Sequence, residues 1–373
     1  MPLPLSLKTK LPCYFDEFYH KFTSLSTSWH IFPTQTKNRQ KGVIKILAAF
    51  FDTKPYDRLF FEKYASEYGV DLRFYENRLD KTTAQLASGC DAVIVFVNDR
   101  LDAETIGVLH GLGIRVAALR SAGYNHVDLR AAFGKITVLR VPAYSPYAVA
   151  EHAMGLLLTL NRRLHHAYNR TRDYNFSLNR LMGFDLHGKT AGVIGTGKIG
   201  SVFIDICRGF GMNILANDPS PTLQGVEYVS LKALCERSDV ISLHCPLNRD
   251  TLHIIGKRAL KLMKENVYII NTSRGALIDS EALLNALLEK RIGGAGLDVY
   301  EEEAGIFYED LSNTIIPDET LMRLLAMPNV IVTSHQGFFT REALDNIAKA
   351  TLGNLKRFSE GGENPNEIRA SEA

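Results

Sequence analysis

Short apolar runs alternate with helix-like segments along most of the chain, and they fall into two blocks. The first block contains five runs, at residues 43–51, 72–75, 92–97, 115–119 and 136–141. The second block contains six runs, at residues 190–194, 213–216, 240–243, 267–270, 295–299 and 330–333. Such runs, separated by helical patterns, are typical of buried parallel strands. The pattern therefore predicts two doubly wound α/β domains, each built on a parallel sheet.

A glycine-rich turn opens the second block. The sequence Gly-Thr-Gly-Lys-Ile-Gly occupies residues 195–200, directly after the run at 190–194 and before a helical pattern at 202–210. In a strand-turn-helix unit of this kind, the first glycine permits the turn, the second admits a pyrophosphate and the third lets helix pack on strand. Asp218 ends the next strand, where an acid accepts hydrogen bonds from ribose hydroxyls, and no Arg or Lys occupies residues 219–221. The pattern predicts NAD as cofactor, in preference to NADP.

Three chemically active residues each follow a different strand of the second block. Arg274 follows the run at 267–270, Glu303 follows 295–299 and His335 follows 330–333. Because ligands bind at the carboxyl ends of strands in open α/β sheets, these side chains are expected to meet there. A guanidinium grips a carboxylate at two points, and an imidazole held by a carboxylate moves a proton. Glu303 belongs to an acidic run at 301–303, and the pattern alone does not choose among its members.

Composition narrows the classes of function. The 373-residue chain is 46% hydrophobic and 23% charged, with a net charge of +2, which gives no reason to expect nucleic acid or an anionic membrane as partner. No apolar run approaches the roughly 18 residues of a membrane span. The five cysteines are scattered without a CxxC pair, so we expect them to be reduced in a cytoplasmic protein. Adjacent His244 and Cys245 without a second cluster argue against a zinc site, and no metal is expected.

Nine short motifs carry a family resemblance. They lie at residues 96–100, 120–125, 140–144, 150–153, 192–200, 244–247, 271–275, 297–301 and 335–338. In these motifs the chain resembles the D-2-hydroxyacid dehydrogenases, and among them most the fermentative D-lactate dehydrogenases. The resemblance covers about residues 43–368 and implies two Rossmann-like or flavodoxin-like domains with the active site in the cleft between them.

The resemblance also implies roles. Arg274 would bind the substrate carboxylate, His335 would act as acid and base, and Glu303 would orient the imidazole and favour its charged form. Substrate contacts would come from Ala122, Gly123, Tyr144 and Phe338. Cofactor contacts would come from Gly195, Thr196, Gly197, Lys198, Ile199, Gly200, Asp218, His244, Cys245, Pro246, Thr272, Ser273 and Asp298.

The substrate implied is a small 2-keto acid. The stretch at 303–310 resembles that of the D-lactate and D-hydroxyisocaproate branch. No additional basic residues stand out that could bind the phosphate of a phosphorylated substrate, so pyruvate and D-lactate are expected. Two alternatives stay open. One is a dehydrogenase for a bulkier keto acid such as phenylpyruvate. The other is an NAD-dependent binding protein like the C-terminal binding protein corepressors, which the short C-terminus disfavours.

Domain bounds and assembly complete the expectations. The helical segment at 340–358 has no strand left to follow, so we expect a discontinuous substrate domain, 43–142 plus 340–373, around an NAD domain at 143–339. Residues 1–42 fall outside the family match, which begins near Val43, and we hypothesise that the natural protein begins there. Since no methionine lies between Met1 and Met154, such a start would use another codon. The helical stretch at 148–173 is apolar on too many sides for a lone surface helix, which predicts a homodimer or homotetramer. His152, His165 and His166 are expected on its surface.

Overall fold

A parallel five-stranded sheet forms the first half of the fold. The computed structural model describes residues 45–369, so the expectations about residues 1–42 lie outside the described residues. The strands are β1 (Ile46–Phe50), β2 (Val70–Phe74), β3 (Ala92–Val95), β4 (Val116–Leu119) and β5 (Thr137–Leu139). They are connected in part by α1 (Pro55–Ala65), a 3-10 helix (Thr83–Ala87), α2 (Ala103–Gly111) and α3 (Leu129–Ala132). The strand order is β2-β1-β3-β4-β5, and all pairs are parallel.

A parallel seven-stranded sheet forms the second half. Its elements begin with α4 (Pro146–Asn161), α5 (Leu164–Arg172), β6 (Thr190–Ile194), α6 (Lys198–Gly209), β7 (Asn213–Asn217) and β8 (Glu227–Tyr228). They continue with α7 (Leu231–Arg237), β9 (Val240–Leu243), α8 (Lys257–Leu262), β10 (Tyr268–Asn271), a 3-10 helix (Gly275–Leu277), α9 (Ser280–Leu288), β11 (Gly294–Leu297), α10 (Glu319–Leu325) and β12 (Val330–Val332). The order is β12-β11-β10-β9-β6-β7-β8. The strands β7 and β8 are therefore added on one side of β6, and β9 to β12 are added on the other side. Ligands of doubly wound sheets bind at such a reversal of strand order, which here lies between β6 and β9.

The apolar runs form strands because both faces of each sheet are covered. Every residue of β3, β4, β9, β10 and β11 is buried. A strand buried on both faces needs continuous apolar sequence instead of alternation. The predicted fold of two parallel sheets is therefore confirmed. The two-residue strand β8 was not predicted, because Glu227 and Tyr228 lack an apolar run and pair only with the edge of β7.

The last helix, α11 (Arg341–Ser359), returns to the first sheet. It packs against α1 and β4, and Leu344, Ile347 and Leu355 share a core with Phe50. A backbone bridge between Leu139 and Glu367 adds the C-terminal segment to the edge of β5. We call the first sheet with α1–α3 and α11 the first lobe, and the second sheet with α4–α10 the second lobe.

The helical stretch at 148–173 is two helices. Arg163 adopts a left-handed conformation with φ of 53°, which separates α4 from α5. Helix α4 packs against α6, β10 and β11, and its residues Leu156, Leu157 and Leu160 are buried within the chain. The apolar character of α4 is thus explained by packing inside the second lobe. The argument that linked this stretch to oligomerisation was wrong for α4.

Candidate active site

Loops at the carboxyl ends of three neighbouring strands bring Arg274, Glu303 and His335 to one cavity. Arg274 follows β10, Glu303 follows β11 and His335 follows β12. All three line the same cavity of about 180 Å³. The expectation that the strand order would bring these side chains together is confirmed at the level of position.

A carboxylate fixes the imidazole of His335. His335 Nδ1 lies 2.8 Å from Glu303 Oε1, and the backbone N–H of Tyr300 donates to Glu303 Oε2 at 3.0 Å. Since a carboxylate accepts hydrogen bonds, Nδ1 carries the proton in this contact, and Nε2 is the ring nitrogen left for exchange with a ligand. The neighbouring Glu301 instead contacts His253 Nε2 at 2.5 Å. The geometry distinguishes Glu303 from its acidic neighbours, which the sequence could not do.

The backbone that carries His335 is anchored to Asp298. The Asp298 carboxylate is 1% exposed and accepts hydrogen bonds from Thr333 Oγ1 at 2.6 Å and from the backbone N–H groups of Gln336 and Gly337 at 2.8 Å each. The backbone N–H of His335 donates to the Asp298 carbonyl at 2.7 Å, and His335 itself has a strained φ of 53°. Asp298 therefore holds the loop in a conformation that a free chain disfavours.

His152 belongs to this anchor, so the expectation that it lies on a helix surface was wrong. Its Nε2 lies 3.1 Å from Asp298 Oδ1 and 3.1 Å from Thr333 Oγ1. Burial alone would raise the pKa of Asp298, but the hydrogen bonds from His152 and Thr333 and the backbone lower it below the ordinary value. The carboxylate is thus ionised at neutral pH, and α4 reaches the site through it.

Both lobes line the cavity. Every residue predicted to contact substrate is among them, together with aromatic and polar residues that the sequence analysis did not single out. The lining residues are Phe96, Val97, Arg120, Ser121, Ala122, Gly123, Asn125, His126, Tyr144, Arg274, Glu303, Tyr308, His335, Phe338 and Ile347. The cavity has a polar side with a fixed cation and an aromatic side, which suits a small carboxylate with an apolar substituent.

Arg274 is the cation free to bind an anion in this cavity. One guanidinium nitrogen donates to the Ser273 carbonyl at 2.7 Å, and no carboxylate within residues 45–369 forms a salt bridge with it. Gly123 allows this placement, because a Cβ there would lie 2.5 Å from Arg274 Nη2. Arg120, by contrast, is 3% exposed and pairs with Asp57 at 3.2 Å and the Asp52 carbonyl at 2.7 Å. Its charge is compensated within the first lobe.

Tyr308 and His126 are cavity residues that the sequence analysis missed. The Tyr308 hydroxyl donates to the His335 carbonyl at 3.0 Å, and its ring stacks on the imidazole with centroids 6.0 Å apart. His126 Nε2 is buried without a hydrogen-bond partner in the described chain, and burial lowers the pKa of His126 to about 4. Tyr308 lies inside the stretch at 303–310 that resembles the D-lactate branch, and His126 directly follows the motif at 120–125. These positions were the sequence feature that could have pointed to them.

The glycine turn after β6 fits a dinucleotide. Gly195 has φ of 91°, and a Cβ there would lie 2.6 Å from the backbone nitrogen of Cys245. A Cβ on Gly200 would collide with the Gly195 carbonyl. A Cβ on Gly197 would meet nothing within 4 Å, so protein packing does not explain this glycine. Gly197 caps α6 without a side chain, which leaves space and free N–H groups at the helix N-terminus for a pyrophosphate. Lys198 and Ile199, which are predicted to contact the cofactor, are the first two residues of this helix.

Asp218 lies beside this turn, directly after β7. Its Oδ2 accepts hydrogen bonds from the backbone N–H of Thr196 at 2.7 Å and from Thr196 Oγ1 at 3.0 Å, and its Oδ1 accepts from the backbone N–H of Ser220 at 2.8 Å. Partial burial would raise the pKa of Asp218, but these bonds lower it. Tyr228, which was not predicted, contacts Thr196 Oγ1 at 3.1 Å. An ionised acid at this point suits ribose hydroxyls and repels a 2′-phosphate.

The remaining predicted cofactor residues lie on the loops after β9 and β10. Ser273 Oγ donates to the Cys245 carbonyl at 2.7 Å and joins the two loops, with Pro246 next in sequence. Within residues 45–369, Thr272 Oγ1 and His244 Nδ1 are buried without a hydrogen-bond partner. His244 Nε2 lies 2.8 Å from Ser242 Oγ, and burial lowers the pKa of His244 to about 3, so the ring is neutral. Unpaired buried polar atoms beside the glycine turn are consistent with a bound polar ligand.

Two further observations concern the described residues. Residues 45–369 contain no group of three or more His, Cys, Asp or Glu side chains arranged to hold a metal ion. Over the same range, no helix is both long enough and apolar enough to cross a membrane.

Comparisons with known proteins agree with this geometry. Residues 154–337 match the family model described as D-isomer specific 2-hydroxyacid dehydrogenase, NAD binding domain. The chain is 50% identical over 326 residues to D-lactate dehydrogenase from Escherichia coli K12, covering 86% of this chain and 99% of that protein. A solved structure of the Escherichia coli enzyme aligns with a TM-score of 0.80 at 47% identity, over 87% of this chain and all of that one. A pyruvate reductase of Chlamydomonas reinhardtii aligns with a TM-score of 0.82 at 41% identity, over 86% and 98%.

Proposed function

Because the chain belongs to the D-isomer specific 2-hydroxyacid dehydrogenase family, whose cofactor is NAD, we propose that it reduces pyruvate to D-lactate with NADH and catalyses the reverse reaction. One observation carries the proposal: the 2.8 Å contact between His335 Nδ1 and Glu303 Oε1 lies in the same cavity as Arg274. Proton donor, orienting acid and carboxylate anchor are then available to one small substrate. Turnover of pyruvate, compared with bulkier keto acids, tests it.

The proposed mechanism assigns one task to each residue. Arg274 binds the carboxylate of pyruvate with two guanidinium N–H groups, which orients the keto group. NADH, when bound, supplies the hydride for C2. Protonated His335 donates its Nε2 proton to the keto oxygen, and Glu303 stabilises the charged imidazole until the proton leaves. In lactate oxidation, neutral His335 takes the hydroxyl proton.

The residues proposed to hold NAD surround the turn after β6. The N-terminus of α6, with Gly197 and Lys198, would face the pyrophosphate, and Asp218 would bind the adenosine ribose. The loops after β9 and β10 would line the rest of the nucleotide through His244, Cys245, Pro246, Thr272 and Ser273. Asp298 is proposed to act beside the nicotinamide end through the loop it anchors.

Cofactor preference is expected to follow Asp218. The kcat/KM for NADH should exceed that for NADPH by at least about tenfold, equivalent to roughly 1.4 kcal/mol, because the carboxylate repels a 2′-phosphate. In the double variant Asp218→Ser with Pro219→Arg, the two kcat/KM values should lie closer together. Steady-state kinetics with both nucleotides measure it. A wild-type enzyme that prefers NADPH would show that Asp218 does not lie at the ribose.

Replacement of Glu303 tests the choice within the acidic run. Glu303→Gln is expected to lower kcat by about 10- to 100-fold, because a neutral amide orients the imidazole but no longer stabilises its charge. Glu301→Gln and Glu302→Gln serve as matched controls, since Glu301 contacts His253 instead. Steady-state kcat values compare the three. An equal loss in Glu301→Gln would show that the wrong acid was chosen.

We further propose that the protein is a homodimer or homotetramer. Its support is an apolar arm at residues 164–182, formed by α5 and the segment after it. Arg170 ties this segment to α5 by donating to the Asn179 carbonyl at 2.6 Å. Large apolar side chains of the arm are exposed: Leu164 52%, Tyr168 60%, Tyr174 85%, Phe176 71%, Leu178 82% and Met182 91%. Exposed apolar surface on this scale is typical of an interface.

Light scattering tests the assembly. The wild-type protein is expected to have at least twice the protomer mass at micromolar concentration. The double variant Phe176→Asp with Leu178→Asp should shift toward the protomer, because buried carboxylates at an interface lack partners. Phe133→Asp, at an apolar residue that is 71% exposed on the first lobe, is the control. A monomeric wild-type protein would refute the proposal.

We also propose domain bounds and a cellular compartment. The contacts of α11 with α1 and β4 support a discontinuous substrate domain, 43–142 plus 340–373, around an NAD-binding domain, 143–339. Cys90, Cys207, Cys235 and Cys245 are free and buried, which fits the reducing cytoplasm.

A further inference from the structure

A carboxylate of the second lobe lies between two cations of the first lobe. Glu309 Oε1 lies 2.6 Å from Arg78 Nη2 and 3.3 Å from Lys54 Nζ. Glu309 directly follows Tyr308 in the loop that also carries Glu303. The catalytic loop is therefore tied across the cleft by one side chain that does not line the cavity.

The first lobe holds Lys54 in place. Lys54 is the N-cap residue of α1, and its backbone N–H donates to Asp57 Oδ2 at 2.9 Å. Lys54 Nζ lies 3.0 Å from Asp52 Oδ1, whose side chain is 1% exposed. Partial burial would raise the pKa of Glu309, but the hydrogen bond from Arg78 and the charge of Lys54 lower it. The carboxylate is thus ionised at neutral pH. Two cations carried by one lobe thus meet one anion from the other.

Hydrogen bonds and a ring contact connect this part of the loop to residues that line the cavity. The backbone N–H groups of Ile306 and Phe307 donate to the Glu303 carbonyl at 3.0 and 3.1 Å, which makes residues 303–307 a compact turn. Asn98 Nδ2 of the first lobe donates to the Phe307 carbonyl at 3.3 Å. The Tyr308 ring meets Phe96 edge-on with centroids 5.1 Å apart. Movement of Glu309 would therefore disturb both Tyr308 and Glu303.

Partly exposed ion pairs contribute little to folding stability. The side chains of Arg78 and Glu309 are each 33% exposed, and that of Lys54 is 23% exposed. Stability alone is thus a poor explanation for this pairing. Glu309 is, however, the sequence neighbour of Tyr308, which lines the cavity.

We propose that Glu309 is a positioning residue, which through Arg78 and Lys54 holds the loop of Glu303 and Tyr308 against the first lobe and thereby sets the KM for the 2-keto acid. The proposal rests on the proposed function for its substrate. Without these ion pairs, the loop lies against the first lobe in a smaller fraction of the protein molecules. The apparent affinity for the 2-keto acid then falls in proportion to that fraction. Saturating substrate restores this position of the loop, so KM rises while kcat changes little.

The test compares Glu309→Gln with Asp310→Asn. Asp310 is the next acid in the loop, and in the described part of the chain its carboxylate accepts hydrogen bonds only from Ser312, so its amide variant is the matched control. Glu309→Gln is expected to raise the KM for pyruvate roughly tenfold, with kcat within about twofold and the KM for NADH unchanged. Glu309→Asp should recover part of the loss. Asp310→Asn should behave as wild type.

A double-mutant cycle with Arg78→Gln identifies the partner. Arg78→Gln should also raise the KM for pyruvate. The double variant should have a KM no higher than that of Glu309→Gln, because both changes remove the same ion pair. Added salt should bring the KM values of wild type and Glu309→Gln closer together, because salt screens the pair only in the wild type.

Hydrogen exchange separates this proposal from the substrate assignment. In ligand-free protein, amides of residues 303–309 should exchange faster in Glu309→Gln than in wild type or Asp310→Asn, with the remaining chain unchanged. If wild type fails to reduce pyruvate, the proposed function fails and this comparison still decides the role of Glu309. Unchanged exchange, a fall in kcat at constant KM, an equal effect of Asp310→Asn, or additive effects of Arg78→Gln and Glu309→Gln would overturn the positioning role.

Discussion

His335→Gln is expected to lower kcat for pyruvate reduction by roughly 10²- to 10⁴-fold, because glutamine has no proton to give at neutral pH. The amide keeps much of the size of the imidazole, so the loop held by Asp298 should persist. NADH binding should be nearly unchanged, since the glycine turn after β6 lies on a different part of the second sheet from β12. Stopped-flow or steady-state rates, with a fluorescence titration of NADH, measure both quantities.

His253→Gln is the matched control for that variant. His253 is the other histidine paired with an acid of the 301–303 run, but it contacts Glu301 and does not line the cavity. It should retain the wild-type kcat. If His335→Gln kept more than a tenth of the wild-type kcat, another group would have to donate the proton.

Arg274→Lys is expected to raise the KM for pyruvate and to lower kcat together. Lysine keeps one positive charge but loses the planar fork that binds two carboxylate oxygens. Loss of one charge-assisted hydrogen bond, about 1.5–3 kcal/mol, corresponds to about a 10- to 150-fold fall in kcat/KM. NADH binding should be unaffected. Steady-state kinetics with varied pyruvate give both parameters.

Arg291→Lys provides the comparison, because within residues 45–369 the Arg291 side chain donates only to the Lys261 carbonyl, at the surface of the second lobe. It should leave kcat/KM unchanged. An Arg274→Lys enzyme with wild-type kcat/KM would mean that the carboxylate is bound by another group, and Arg120 would then be the cation to test next.

The strands were predictable because the protein buries both faces of each sheet. Each apolar run corresponds to a strand of the structure, and the carboxyl ends of β10, β11 and β12 carry the three residues named from the sequence. The division of the stretch at 148–173 was not predictable, since Arg163 takes a left-handed conformation that no local pattern marks. Short elements such as β8 depend on a neighbouring strand and have no pattern of their own.

Side chains whose role depends on tertiary contacts escaped the sequence analysis. His152 has helical spacing, but only the fold brings it to Asp298. Tyr308 stacks on His335 across the loop, and Arg120 is neutralised by Asp57 from a distant helix. Glu303 could be selected from its acidic run only by resemblance, and the contact with His335 now gives a physical reason for it. The catalytic roles themselves stay predictions.

Substrate preference, with the configuration of the product, tests the central claim most directly. The purified wild-type protein is assayed with NADH against pyruvate, phenylpyruvate and a branched keto acid, and the lactate formed is resolved by chiral chromatography. The account predicts the highest kcat/KM for pyruvate and D-lactate as the product. No turnover of pyruvate, a higher kcat/KM for either bulkier acid, or L-lactate as the product would contradict it.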